Sequence, residues 1–226
     1  MRGTLWCKVS LLLVLLMPAT AWPALAAGLP VAPAAVPSSS GPLPGLYADP
    51  DPAASALHAQ PGQRAGFRQR LEATLRHNPR NSIALSHRAY LFAQAGDLER
   101  ALRDYDAALQ WAGDDPVYRR SVLWSRGWTR YNLGDTGLAM ADWNQAGQMH
   151  GGRPYWLPYT LALGYWTLGE KALALQWFDA AVQSMPGWGQ DAGFADKTRH
   201  WRPAQKAAME GLFAAWKQRQ AVAVAR

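Results

Sequence analysis

One spacing pattern restricts this chain more than any other property it has. Five residues after Gly96 stands Ala101, nine after it Tyr105, and twelve after it Ala108. The same steps from Gly134 reach Ala139, Trp143 and Ala146, and from Gly169 they reach Ala174, Phe178 and Ala181. Seven residues before each glycine stand Ala89, Gly127 and Ala162. Eleven before stand Leu85, Leu123 and Pro158, where the third copy departs from the other two. The unit this describes is a helical hairpin. The glycine supplies the positive φ that ends a first helix. Asp97 and Asp135 then stand as N-caps of the second helix, and Glu170 takes the equivalent place. Small residues let the two helices approach, and the ring fills the gap to the next hairpin. One hairpin alone cannot bury its apolar face, so the core is made by stacking them. No stretch has the two-residue alternation of strands.

The three units, residues 82–115, 120–153 and 155–188, resemble tetratricopeptide repeats, a family built from 34-residue helix-turn-helix units. The resemblance implies an all-α solenoid that winds as a right-handed superhelix. A helix over residues 64–78 precedes the repeats. Its Leu75 and Pro79 match the end of a repeat, while Phe67 and Thr74 replace the two alanines. It reads as a capping helix. A loop follows Trp188, and a helix over 203–220, with Pro203 in its first turn, caps the other end. The repeat domain as a whole spans 63–222.

The chain ahead of this domain has two parts. Arg2 and Lys8 flank the start of a short apolar run over residues 9–17, which Pro18 breaks, and Ala24-Leu25-Ala26 follows. That is the pattern of a secretory signal over 1–26, cleaved before Ala27. The run is well short of the roughly 20 residues a membrane span needs. The expectation is an exported protein, periplasmic or secreted, with no stable membrane insertion after cleavage. Residues 27–62 are rich in Pro, Ala, Ser and Gly and carry no period, which predicts a disordered, solvated linker. The only cysteine, Cys7, falls in the signal, so disulfide chemistry is not expected of the mature protein.

Function classes narrow in the same way. The formal charge of +7 is spread singly among acidic residues, without the basic runs of a nucleic-acid binder. The five histidines, His58, His77, His87, His150 and His200, lack partners at metal-ligand spacing. There is no Gly-rich phosphate loop after a strand and no recognisable Ser/His/Asp arrangement. The expectation is no enzyme, no cofactor and no metal. Asp104, Asp106, Asp142 and Asp179 sit on second helices with the spacing of solvated faces.

What remains is recognition. Twelve tryptophans are many for 226 residues. In the family resembled, the concave face is built from first-helix positions 2, 5, 9, 12 and 13. On this sequence those positions hold Ile83, Ser86, Tyr90, Ala93 and Gln94 in the first repeat. In the second they hold Ser121, Trp124, Trp128, Tyr131 and Asn132, and in the third Trp156, Tyr159, Leu163, Trp166 and Thr167. Tyr90, Trp124, Trp128, Tyr131, Trp156, Tyr159 and Trp166 would therefore share one groove, with Arg126 and Arg130 beside them to stack on a ligand or pair an anion. For the arginines the alternative is an intramolecular pair with a second-helix aspartate. For the aromatics it is a place in the core, under a terminal helix or the Pro-rich linker. Trp111, Trp143 and Trp177, on second helices, read as packing residues. The Lys/Arg/Asn clamp with which some members hold acidic peptide tails is not present. The resemblance thus implies an exported scaffold or adaptor holding a protein or peptide partner, or alternatively a module for envelope glycan, peptidoglycan or another polysaccharide.

Overall fold

The computed structural model describes residues 40–54 and 64–225. Residues 1–26, 27–39 and 55–62, read above as signal and linker, lie outside the described residues. Within them the chain is all-helical, with α1 (Arg64–His77), α2 (Ser82–Gln94), α3 (Leu98–Gln110), α4 (Pro116–Leu133), α5 (Thr136–His150), α6 (Leu157–Thr167), α7 (Lys171–Ser184), α8 (Asp191–Thr198) and α9 (Pro203–Val224). Two 3-10 turns, Pro52–Ala54 and Pro186–Gly189, complete the elements. None of these helices is long and apolar enough to cross a membrane.

Helices pack on their neighbours in the chain: α2 on α3, α4 on α5 and α6 on α7 within each pair, and α3 on α4 and α5 on α6 between pairs. Gly96, Gly134 and Gly169 carry φ of +85°, +91° and +85°, a region closed to most side chains. Asp97 caps α3 by accepting from the Arg100 N–H. Asp135 and Glu170 hold the same position on α5 and α7 but make no side-chain cap bond.

The repeated residues meet at the seams. Ala101, Ala139 and Ala174 are wholly buried, as are Trp143 and Phe178, with Tyr105 at 1% exposed. The largest ring faces the smallest partner. A Cβ on Gly127 would lie 2.4 Å from the Trp143 indole nitrogen, so α4 must be bare there for the indole to fit. That nitrogen donates to the Trp124 carbonyl at 3.3 Å. Tyr105 and Phe178 are smaller, and the facing positions keep Ala89 and Ala162. Of the second-helix tryptophans, Trp143 and Trp177 are buried, but Trp111 is 40% exposed beneath the Arg80 guanidinium and does not pack as expected.

Two segments depart from the sequence reading. The predicted loop after Trp188 contains the short helix α8, whose Phe194 stacks on Phe213 of α9 with ring centroids 4.4 Å apart. The predicted disordered linker is wrong for residues 40–54, which lie as a strap against the third helix pair. The Ser40 carbonyl accepts from the Trp177 indole, and the Tyr47 ring, 3% exposed, meets Trp177 edge-on. Asp49 exchanges backbone hydrogen bonds with Arg153 and Tyr155. Asp51 is buried and accepts from Arg120, from the Trp156 indole and from the Ala53 N–H, each at 3.0 Å. Apart from the Pro52–Ala54 turn the segment is without helix, as its prolines imply. A buried aromatic and a carboxylate with three donors hold it down.

Candidate functional site

Arginine settles first, because its partners exclude part of the predicted groove. Arg88, eight residues before Gly96, makes a bidentate pair with Asp104, eight residues after it, at 2.6 and 2.8 Å. Arg126 and Asp142 repeat this around Gly134, at 2.9 and 2.6 Å. Arg126 also reaches Asp106 at 2.7 Å, and Arg130 reaches Asp142 at 2.9 Å. Arg126 and Arg130 are therefore not groove residues: their guanidiniums are engaged at the seam between α3, α4 and α5. Nor do Asp104 and Asp142 line solvated faces, since both are buried. Burial pushes the Asp142 carboxyl above its usual range, by more than the hydrogen bond and charge of Arg126 and the charge of Arg130 pull it down. Asp51 balances the other way. Burial raises it too, but Arg120, Trp156 and the Ala53 N–H together hold it below the ordinary value.

The aromatic set divides. Trp156 is wholly buried with its indole bound to Asp51, and Tyr131 is buried with its hydroxyl 2.8 Å from that of Thr167. Trp166 is half-buried, with the Lys171 ammonium 3.3 Å from its ring centroid. None of the three reaches the cavity described next.

Tyr90, Trp124, Trp128 and Tyr159 do come together. They line one cavity of about 390 Å³, bounded by α2, α4 and α6 and closed by the connection between α8 and α9. That connection supplies His200, Trp201 and Arg202, and the first turn of α9 adds Gln205. The Trp201 ring lies across the would-be groove, with centroids 5.5 Å from Trp128, 6.1 Å from Tyr159 and 6.0 Å from Trp188. Two side-chain bonds tie this closing segment to α2 and α4. Arg202 donates to the Ala93 carbonyl, and Gln205 donates to Asn132 at 2.9 Å.

No family model matches this chain. Nor is any curated protein detectably similar to it. The site's chemistry therefore rests on its residues. Its walls are aromatic, its polar groups are amides, hydroxyls and the His200 imidazole, its one guanidinium comes from Arg202, and no carboxylate lines it. The Trp124 and Trp128 indole N–H groups are out of water and have no acceptor, a condition uncommon in folded proteins. Burial also keeps the Tyr159 phenol above its ordinary range.

Sequence reasoning found the four ring positions because they fall at matching places on first helices. It missed His200, Trp201, Arg202 and Gln205, which lie outside any repeat. The one available signal was Trp201 standing two residues before Pro203, at the start of the predicted terminal helix.

Proposed function

We propose that this chain is an exported tetratricopeptide-type repeat protein, a scaffold or adaptor that binds a partner protein and catalyses nothing. One observation carries the reading: Tyr90, Trp124, Trp128 and Tyr159, from three successive first helices, converge on a single cavity. Its volume is within the roughly 300–1,000 Å³ of ligand pockets. It suits two or three residues of an extended segment better than a whole helix, whose diameter is about 10 Å with side chains. The glycine φ values and buried alanines support the repeat assignment, and the apolar run over residues 9–17 supports export.

The partner is sought by crosslinking and pulldown of the mature protein from its native envelope, with Trp124→Ala and Trp128→Ala in parallel. Rings that serve binding lose about 2 kcal/mol or more of affinity on truncation. Rings that serve only the core lose roughly 3–5 kcal/mol of stability instead. Partner retention and melting temperature, measured together, separate these. Unchanged retention in both variants overturns the site. N-terminal sequencing tests export, with Ala27 the expected first residue.

A second reading, glycan binding, draws on a specific feature. Gln94, Asn132 and Gln205 set planar amides beside aromatic rings in the same cavity, the combination that suits sugar hydroxyls and sugar faces. Saturable binding of purified cell-wall glycan, with no protein partner recovered, would put this reading first.

A further inference from the structure

We infer that the cavity takes an acidic segment of the partner protein, with an apolar ring among the tryptophans and a neighbouring carboxylate at Arg202. This rests on the proposed function and names the chemistry of the occupant. The hydrogen bonds of the lining point to that chemistry. Gln205 is used at both ends: its carbonyl accepts from the Arg202 N–H at 3.0 Å and its amide donates to the Asn132 carbonyl. The Ser125 carbonyl is taken by the Thr129 hydroxyl at 3.2 Å. The capacity left over is weighted to one kind. Its donors are the buried Trp124 and Trp128 indole N–H groups, the amide N–H₂ of Asn132 and the rest of the Arg202 guanidinium, set against the Gln94 amide and the Tyr159 hydroxyl, which can also accept. Indole and guanidinium can only donate, and Arg202 is the one charged group among them.

Charge points the same way. Arg88 and Arg126, half-buried on the repeat helices, each face an aspartate at ion-pair distance. Arg202 is half-buried too, yet its bond is to the neutral Ala93 carbonyl, and no carboxylate among the described residues lies within 4.0 Å of it. A partly desolvated guanidinium gains most from an ionised acceptor, which also gives the stronger hydrogen bond. An occupant that satisfies this lining brings acceptors and negative charge along with apolar surface. An acidic residue beside an aromatic one has all three.

The test uses two tetrapeptides, Glu-Phe-Glu-Phe and Gln-Phe-Gln-Phe, acetylated and amidated to remove terminal charges. Each is titrated calorimetrically into the full chain. The acidic peptide is expected to bind about tenfold more tightly or better, the worth of one charge-assisted bond. Arg202→Gln should bring it down to the level of the neutral peptide, and Arg202→Lys should keep part of the difference. Arg103→Gln, at an exposed arginine outside the cavity, should leave it intact. Melting curves of the Arg202 variants show whether the closing segment still holds. Equal affinity for the two peptides overturns the inference while leaving the cavity as a protein site, provided Trp128→Ala weakens both. Equal losses in Arg202→Gln and Arg103→Gln would reduce the effect to general basicity and overturn it as well. Absence of binding by either peptide overturns it outright. Arg202-dependent binding of an oligogalacturonate in place of the peptides would assign the donors to an acidic glycan, and the partner class with them.

Discussion

The second and third helix pairs are built on one frame and sealed by opposite chemistry. Eight residues either side of Gly134 stand Arg126 and Asp142, a buried ion pair shared with Arg130 and Asp106. Eight residues either side of Gly169 stand Leu161 and Trp177. The backbone positions correspond, but the third pair presents an apolar ring where the second presents charge. The strap settles on that ring: Tyr47 packs on Trp177, and the Ser40 carbonyl accepts from its indole N–H. The frame decides where a side chain goes, while one substituted pair decides which surface can be covered.

Removing one partner of the charged seam should have the largest effect. Asp142→Leu leaves two partly buried guanidiniums with only the exposed Asp106, and should cost about 3–5 kcal/mol of stability in denaturant unfolding. Arg126→Leu/Asp142→Leu copies the apolar solution of the third pair and should cost less than Asp142→Leu alone. If the double variant is the worse of the two, charge at the second seam is not exchangeable for apolar packing and the comparison breaks.

Undoing the strap comes next. Asp51→Ala orphans the buried Arg120 and should cost about 3 kcal/mol. It should also raise hydrogen exchange across residues 40–54 while leaving α2 and α3 protected. Protection unchanged in the strap would mean that Tyr47 and Ser40 hold it without the carboxylate.

Gly127→Ala sharpens the steric side of the comparison. Trp143 needs a bare backbone opposite, whereas Phe178 tolerates Ala162. The substitution should overpack the second seam by about 1–3 kcal/mol. Gly137→Ala, on the next helix and with open space around it, should be stabilising by about 0.5–1 kcal/mol. Equal melting temperatures for the two variants would count against the ring-size argument.

The smallest effect separates the two carboxylates by pH. Asp51 is held below its unfolded pKa of 3.8, so the stability it contributes is present above that value and fades as pH falls through the folded one. Asp142 is raised above 3.8, so its contribution is greatest below that value and declines as pH rises through the folded one. The stability difference between wild type and Asp51→Asn should therefore shrink on acidification below 3.8. For Asp142→Asn it should move in the opposite direction. Parallel trends would refute the assignment of one carboxylate as well stabilised and the other as burdened by burial.

What could be read in advance followed from periodicity. The helices of the three pairs were legible because glycine, alanine and ring recur at fixed offsets, and each of those residues has one steric task. Four cavity rings were legible for the same reason. The arginine pairing was also written in the sequence, as Arg88–Asp104 and Arg126–Asp142 at equal separation, but arginine near tryptophan can also be read as part of a groove. The strap was not legible, because proline content reports an extended backbone and says nothing of where it lies. Tyr47 and Asp51, a ring and a charge in a bland segment, were its only marks. The closing segment around Trp201 belongs to no repeat, so no internal comparison could place it.

The strap also bears on the order in which the chain folds. Arg88 meets Asp104 across 16 residues, but Asp51 meets Arg120 across 69 and Trp156 across 105, and Ser40 meets Trp177 across 137. Closing the longest of these loops costs about 2 kcal/mol more chain entropy than closing the shortest. A ribosome delivers the strap well before most of its docking surface. Residues 40–54 can meet Arg120 once α4 is made, but their contacts with Trp156, Trp177 and Ser184 wait until α6 and α7 have been made and packed. The first segment of the described chain to emerge is among the last to find its place, and its docking reports that the third hairpin is complete.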